Sequence, residues 1–295
     1  MRVRKVANAP VSFGVFELVD GPAPLTATEM IHALTEAGYD GIDLGPLGYL
    51  GTAETLAENL GSLWLAGGWI DLRYSDAEEF RRGLPTLDAT LDVFAAAPVG
   101  PLPPRPTLGC SGAPHRFARP GGDTPGLDAS EWPGYAARVQ EAVDRCRERG
   151  FDPVFHHHLG TYVETAEETE RLLELTDVQL CLDTGHLLLA GGDPVAALRA
   201  WAGRIGHVHV KDGDLKILAQ AHADGVDLRE LTRRGGFAPL GQGVLDLPAV
   251  VETLDEIDYS GWVIVEQDTL PGRRTVAENI ADQAANRLML KELGL

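Results

Sequence analysis

The chain has 295 residues, 44% hydrophobic and 23% charged, with no polar stretch of linker character, so a single domain over residues 1–295 with a full core is expected. Its 25 Lys and Arg stand against 44 Asp and Glu, a formal charge of −19 that repels phosphate backbones and anionic surfaces and argues against nucleic acid or membrane as partners. Cys110, Cys146 and Cys181 form no close pair, the basic Met1–Lys5 is not followed by an apolar signal core, and no run approaches the roughly 18 apolar residues of a span, so a cytoplasmic protein without a disulfide framework or a thiolate zinc site is expected.

In chain order, strands are expected at 6–9, 41–44, 63–72, 107–110, 154–158, 178–183, 205–210 and 262–266. Helices are expected between and after them, at 28–37, 53–60, 77–96, 132–149, 166–175, 194–202, 247–257 and 276–293. Pro133 and Pro194 fit first-turn positions, with Glu131 and Asp193 just ahead of them. The Pro- and Gly-rich stretch 97–126 is expected to be long loops around a strand at 107–110. Eight strand–helix repeats predict an α/β fold, a parallel (β/α)8 TIM barrel, in preference to a doubly wound open sheet; no G-x-G-x-x-G follows the first strand to mark a dinucleotide site.

The late strands end in ionisable residues, where a barrel builds its site. Phe155-His156-His157-His158, Cys181-Leu182-Asp183-Thr184-Gly185-His186, His207-Val208-His209-Val210-Lys211-Asp212 and Val263-Ile264-Val265-Glu266-Gln267-Asp268 all share this pattern. The pleat sends His156 and His158 to one side and His157 to the other, where a structural role is expected. Asp183 closes an apolar run, where a carboxylate must be paired or metal-bound. His207 and His209 share a face with Lys211, either one of the two imidazoles ligating with the other supporting it, or both belonging to the core. Two imidazoles and two carboxylates suit a first-row divalent ion, Mn, Co, Fe or Zn, with positions left for two substrate oxygens. His186, past its strand, can reach the same cavity as acid, base or substrate contact.

At these residues the chain resembles the xylose isomerase-like TIM-barrel superfamily of sugar isomerases and epimerases. Asp183 of Leu-Asp-Thr-Gly-His, His209 of His-x-x-Asp, and Glu266 match three of its four metal ligands, and His156 stands where the superfamily often has glutamate. This departure is similar to one branch, the inosose (2-keto-myo-inositol) dehydratases of inositol catabolism. The likeness extends over Ala7-Asn-Ala-Pro-Val-Ser-Phe-Gly14, Leu65-Ala-Gly-Gly68, His156-His-His-Leu-Gly-Thr161 and His207-Val-His-Val-Lys-Asp212. Asp43 in place of an expected Glu, Pro239-Leu-Gly-Gln-Gly243, and the poorly matching segment 107–116 depart from it.

The resemblance implies a metal-dependent hydro-lyase acting on a keto-cyclitol, with a keto-sugar isomerase or epimerase as the alternative. It implies Mn or Co as the ion, with Zn or Fe less favoured, ligated by His156, Asp183, His209 and Glu266. Glu266 or His158 is expected to take the α proton and His186 or Lys211 to assist departure of the β hydroxyl. Asn8, Tyr49, Trp69, Glu164 and Arg116 are further expected to contact substrate, and a homodimer is expected from barrel enzymes of this kind.

Overall fold

The computed structural model describes residues 3–16, 19, 21–110, 113–121 and 124–295. The strands are β1 (Arg4–Asn8), β2 (Gly41–Asp43), β3 (Trp64–Asp71), β4 (Arg105–Gly109), β5 (Val154–His156), β6 (Gln179–Asp183), β7 (Ile205–Val210), β8 (Asp212–Gly213), β9 (Phe237–Ala238) and β10 (Gly261–Val265). Eight of them close into a barrel in the order β1-β10-β7-β6-β5-β4-β3-β2, every pairing parallel, while β8 and β9 form a separate antiparallel ribbon. The expected (β/α)8 barrel is what the chain forms.

The helices are α1 (Ala27–Ala37), α2 (Leu56–Leu60), α3 (Ala77–Ala95), α4 (Pro114–Ala118), α5 (Trp132–Glu148), α6 (Ala166–Leu175), α7 (Thr184–Leu189), α8 (Pro194–Ala200), α9 (Leu215–Asp224), α10 (Leu228–Arg234), α11 (Leu247–Glu256) and α12 (Val276–Glu292). Four of these, α4, α7, α9 and α10, lie outside the repeat expected from sequence. They are short helices in the loops at the strand C-termini, where the local caps of Asp183, Asp214 and Asp227 start α7, α9 and α10. Among the described residues no helix is long and apolar enough to cross a membrane.

Alternation along β10 divides its side chains. Val263 and Val265 join the large core between barrel and helices, whereas Trp262 and Ile264 pack with Ala7 and Ala66 in a separate interior cluster. Glu266 continues the inward register one residue past the strand. Gln267 faces the other way, accepting from Gln283 of α12 at 3.0 Å.

Asn8 belongs to that outer network. Its amide donates to Gln283 Oε1 at 3.0 Å, Tyr39 donates to the Gln283 carbonyl at 2.8 Å, and Asn286 accepts from Leu240 N at 3.0 Å. These buried amides fix the last helix to β1 and β10, and each contributes about 1 kcal/mol while satisfied.

Candidate metal centre

His156, Asp183, His209 and Glu266 come from β5, β6, β7 and the end of β10, and one ligand atom from each lies within 4.8 Å of the others. Asp183 and His209 are lateral neighbours in the sheet. Asp183 Oδ2 lies 3.5 Å from His156 Nε2 and 3.7 Å from His209 Nδ1, and that nitrogen is 3.1 Å from Glu266 Oε2. All four side chains are buried.

The Asp-Thr-Gly-His segment builds much of this by local chemistry. Asp183 Oδ1 accepts from His186 N at 2.8 Å, capping α7, and so leaves Oδ2 for the cluster. Thr184 Oγ1 donates to the Lys211 carbonyl at 2.8 Å and accepts from Lys211 N at 2.9 Å, locking the ends of β6 and β7 together. At Gly185 a Cβ would stand 2.7 Å from Lys211 Cγ, so only glycine lets the lysine stem pass. His186 presents Nε2 to Lys211 Nζ at 3.0 Å.

The other two motifs have similar divisions of labour. His157 Nε2 accepts from Asp183 N at 3.1 Å, the structural role expected of the middle histidine. The strand expected to run to residue 158 stops at His156, because Thr161 Oγ1 bonds back to the His158 carbonyl at 2.8 Å and turns the chain. His158 then stacks on His186 with ring centroids 3.7 Å apart. Asp212 accepts from the amides of Gly213, Gly241, Gly243 and Leu245 at 2.8 to 3.0 Å, so the unusual turn Pro239–Gly243 is organised by a single carboxylate.

Lys211 is wholly buried, its ammonium 2.7 Å from Asp268, 3.0 Å from Glu266 and 3.4 Å from Asp183. Burial works against its charge, but these three carboxylates outweigh burial and hold Lys211 above its ordinary range. Burial pushes the Glu266 and Asp183 carboxyls up as well; the cationic neighbours, His209 and Lys211 for Glu266 and Lys211 foremost for Asp183, nevertheless hold both below the usual range. Asp268, burdened by burial and relieved by Lys211, is raised to about 6.

His158, desolvated and beside His156, is pushed down to about 3 and is neutral at physiological pH. Beneath the cluster Asp43, raised by burial to about 7, lies 4.0 Å from His209 Nε2, and Asp43, His207 and His209 form a second, deeper grouping. A Cβ on Gly67 would come within 3.0 Å of Asp43 Oδ1 and 3.3 Å of His207 Nε2, so that glycine opens the space they occupy.

The donor set fits a divalent cation. Asp183 Oδ2 and His209 Nδ1 are buried, face the other ligand atoms and make no hydrogen bond, the arrangement of atoms aimed at a common centre. Burial disfavours charge on His209, yet the carboxylates of Glu266 and Asp183 beside it hold it above the imidazole range, so the cluster draws positive charge to a point a metal ion would take over. The sulfur of Cys181 lies near His156 and His209, but burial raises that thiol to about 11 and makes it a poor ligand beside two carboxylates.

Above the cluster is a cavity of about 340 Å³ lined by Trp69, His156, His158, His186, His209, Lys211, Glu266 and Asp268. Trp69 sets its ring centroid 5.4 Å from that of His156. Asn8, Tyr49, Glu164 and Arg116, expected to contact substrate, do not line this cavity. Asn8 is spent on α12. The Tyr49 hydroxyl donates to the Leu25 carbonyl at 3.0 Å. Arg116 is buried in a forked pair with Glu168 at 2.7 and 2.6 Å, lies 3.4 Å from Glu164 and donates to the carbonyls of Thr124, Pro125 and Thr161.

The Arg116 network fastens the segment around α4 to the start of α6, and Glu168 also closes the capping box on Thr165. Replacing Arg116 with methionine leaves Glu164 and Glu168 without their cation, and a loss of about 3–5 kcal/mol in urea unfolding is expected.

Asp268, Asp43 and Phe237 belong to the site without having been identified as site residues from sequence. Asp268 carries a signal, two residues beyond Glu266 in the same register. Phe237, 5.0 Å from the His186 ring and 5.1 Å from Lys211 Nζ, arrives on the β8–β9 ribbon and carries none.

A family model described as Xylose isomerase-like TIM barrel matches residues 106–292. The chain is 32% identical to the rhizopine catabolism protein MocC of Rhizobium meliloti over 95% of this chain and 89% of that one. It is 43% identical to an inosose dehydratase of Geobacillus kaustophilus over 49% of this chain and 48% of that one, so the match spans about half the length of that relative. Solved structures sharing the fold include the IOLI protein with a binding zinc atom, at TM-score 0.70 and 15% identity, covering 97% of each chain. A D-allulose 3-epimerase from Methylomonas sp. in complex with D-allulose superposes at TM-score 0.70 and 17% identity, covering 99% of this chain and 97% of that one.

Proposed function

Because the chain belongs to the xylose isomerase-like TIM barrel family, we propose that it is a metal-dependent hydro-lyase removing water from a keto-cyclitol of the 2-keto-myo-inositol type. The observation that carries this reading is His156 at the fourth corner of the cluster, which leaves Glu266 and Asp183 as its carboxylates. Asp183 Oδ1 is committed to the α7 cap, so Glu266 is the one carboxylate of the cluster with freedom to act as a base. Two-base proton exchange on opposite faces of a substrate needs a second such group; elimination needs one base and one acid. The named dehydratase relatives support the same assignment, and the epimerase neighbours, alike in fold alone, supply the second reading: isomerisation or epimerisation of a keto-sugar.

His156, Asp183, His209 and Glu266 would hold the ion, Mn or Co in this reading, and when bound it supplies a Lewis acid for the substrate carbonyl. Glu266, kept ionised by His209 and Lys211, removes the proton α to the carbonyl. Lys211 fixes Glu266 and Asp268 and presents His186 to the leaving hydroxyl, which departs as water after gaining a proton from the Lys211–His186 pair. Trp69 and neutral His158 wall the ring and exclude solvent.

The test is a diode-array assay of manganese- or cobalt-loaded protein with 2-keto-myo-inositol beside a panel of ketohexoses. A conjugated enol-dione chromophore in the near ultraviolet is expected with the cyclitol. No chromophore, together with interconversion of a hexose, moves the assignment to the second reading. Chelation is expected to abolish the chromophore and, at an ion concentration 100 times the dissociation constant, to remove about 2.7 kcal/mol of stability; re-addition restores both.

A further inference from the structure

Two buried polar side chains beneath the cluster have no part in the proposed reaction: Asp43, at the end of β2, and His207, within β7. Asp43 Oδ1 and both ring nitrogens of His207 make no hydrogen bond among the described residues, although buried polar atoms are ordinarily paired. Asp43 and Gly67 are neighbours across β2 and β3. A Cβ on Gly67 would meet the Arg105 carbonyl at 2.9 Å, Asp43 Oδ1 at 3.0 Å and His207 Nε2 at 3.3 Å, so these polar atoms border one space that a glycine leaves open.

His209 faces both levels. Its Nδ1 is turned to Glu266 at 3.1 Å and Asp183 at 3.7 Å, and its Nε2 to Asp43 Oδ2 at 4.0 Å. A neutral imidazole that gives one nitrogen to a cation carries its proton on the other. In His209 that proton falls on Nε2, which is buried and makes no hydrogen bond. The lower grouping is therefore a set of acceptors around an N–H and not a second ion site, since two cations could share this ring only as an imidazolate. A gap of 4.0 Å is too long for a direct hydrogen bond and short enough for one water to span. Such a water accepts from His209 Nε2 and donates one proton to Asp43 and one to His207 Nε2, giving each a partner.

We propose that Asp43 is a positioning residue of the metal centre. Through a water held over Gly67 and shared with His207, its carboxylate takes up the Nε2 proton of His209 and so fixes the tautomer and ring plane that offer Nδ1 to the ion. The inference rests on the metal-dependent reading of the cluster and names what supports the ion's affinity there.

The test needs no substrate. Calorimetric titration of the chelated and dialysed protein with manganese is expected to give one ion per chain, and Asp43→Asn to bind it about 10–100-fold more weakly. Asp43→Glu, one methylene longer, reaches His209 without the water and is expected to restore most of that loss. His207→Phe removes the other acceptor of the same water and is expected to weaken binding in the same direction. Urea unfolding of the metal-free proteins separates positioning from packing, because a variant that has lost packing alone is less stable yet binds manganese as the parent does. In the zinc-loaded parent labelled with ¹⁵N-histidine, His209 is expected as the Nε2–H tautomer, that proton exchanging faster in Asp43→Asn. Parent-like affinity in both Asp43→Asn and His207→Phe, a second ion in the parent, or an Nδ1–H tautomer overturns the proposal and leaves the hydro-lyase reading standing. A parent that binds no divalent ion sinks both; one that binds it as described but dehydrates no keto-cyclitol sinks the hydro-lyase reading alone.

Discussion

Lys211→Met is expected to lower the stability of the metal-free protein by about 3–5 kcal/mol in urea unfolding and to reduce turnover at least a hundredfold. The ammonium lies within 3.4 Å of Asp183, Glu266 and Asp268, and no side chain of similar size without charge replaces that interaction. Two buried carboxylates, Asp183 and Glu266, and the half-buried Asp268 would then face one another, and protonating one or more of them is the cheapest relief. A divalent ion supplies the missing charge, so saturating manganese is expected to stabilise the variant more than the parent. Gly185→Ala provides a milder version, since its Cβ would press on the lysine stem without removing the charge. Equal metal-induced stabilisation of Lys211→Met and parent would show that Lys211 is not the countercharge of the cluster.

The legible parts of this protein were those in which one residue has one neighbour in sequence that explains it. Strand–helix alternation announced the barrel, and acids and imidazoles closing apolar strands announced the cluster, because both are patterns of single elements. Asn8 looked like a substrate contact for the same reason, standing at a strand end, but its partner Gln283 is 275 positions away on the last helix. Arg116 misled likewise: an arginine in a loop near the site suggests a ligand, and its real partner Glu168 opens a helix 52 residues later. The β8–β9 ribbon was invisible because two-residue strands have no periodicity, and with it went Phe237. Asp183 illustrates the limit differently. Its place at the site was readable, whereas the split between one oxygen for the α7 cap and one for the cluster arises only from the turn it initiates.

Glu266→Gln separates the base from the ligand. The substitution keeps shape and one coordinating oxygen while removing the negative charge that His209 and Lys211 hold ionised. Lys211 keeps Asp268 at 2.7 Å and Asp183 at 3.4 Å, so folding is expected to survive with a loss near 1 kcal/mol. At saturating manganese, checked by metal analysis of the dialysed protein, kcat on 2-keto-myo-inositol is expected to fall roughly 10²–10⁴-fold, with KM little changed. Exchange of the substrate α proton in deuterium oxide should disappear in parallel, since elimination and exchange share the first proton transfer. If exchange persists in Glu266→Gln at full metal occupancy, the proton leaves by another group. The neutral imidazole of His158 then becomes the base, and His158→Gln should abolish the exchange that Glu266→Gln left intact.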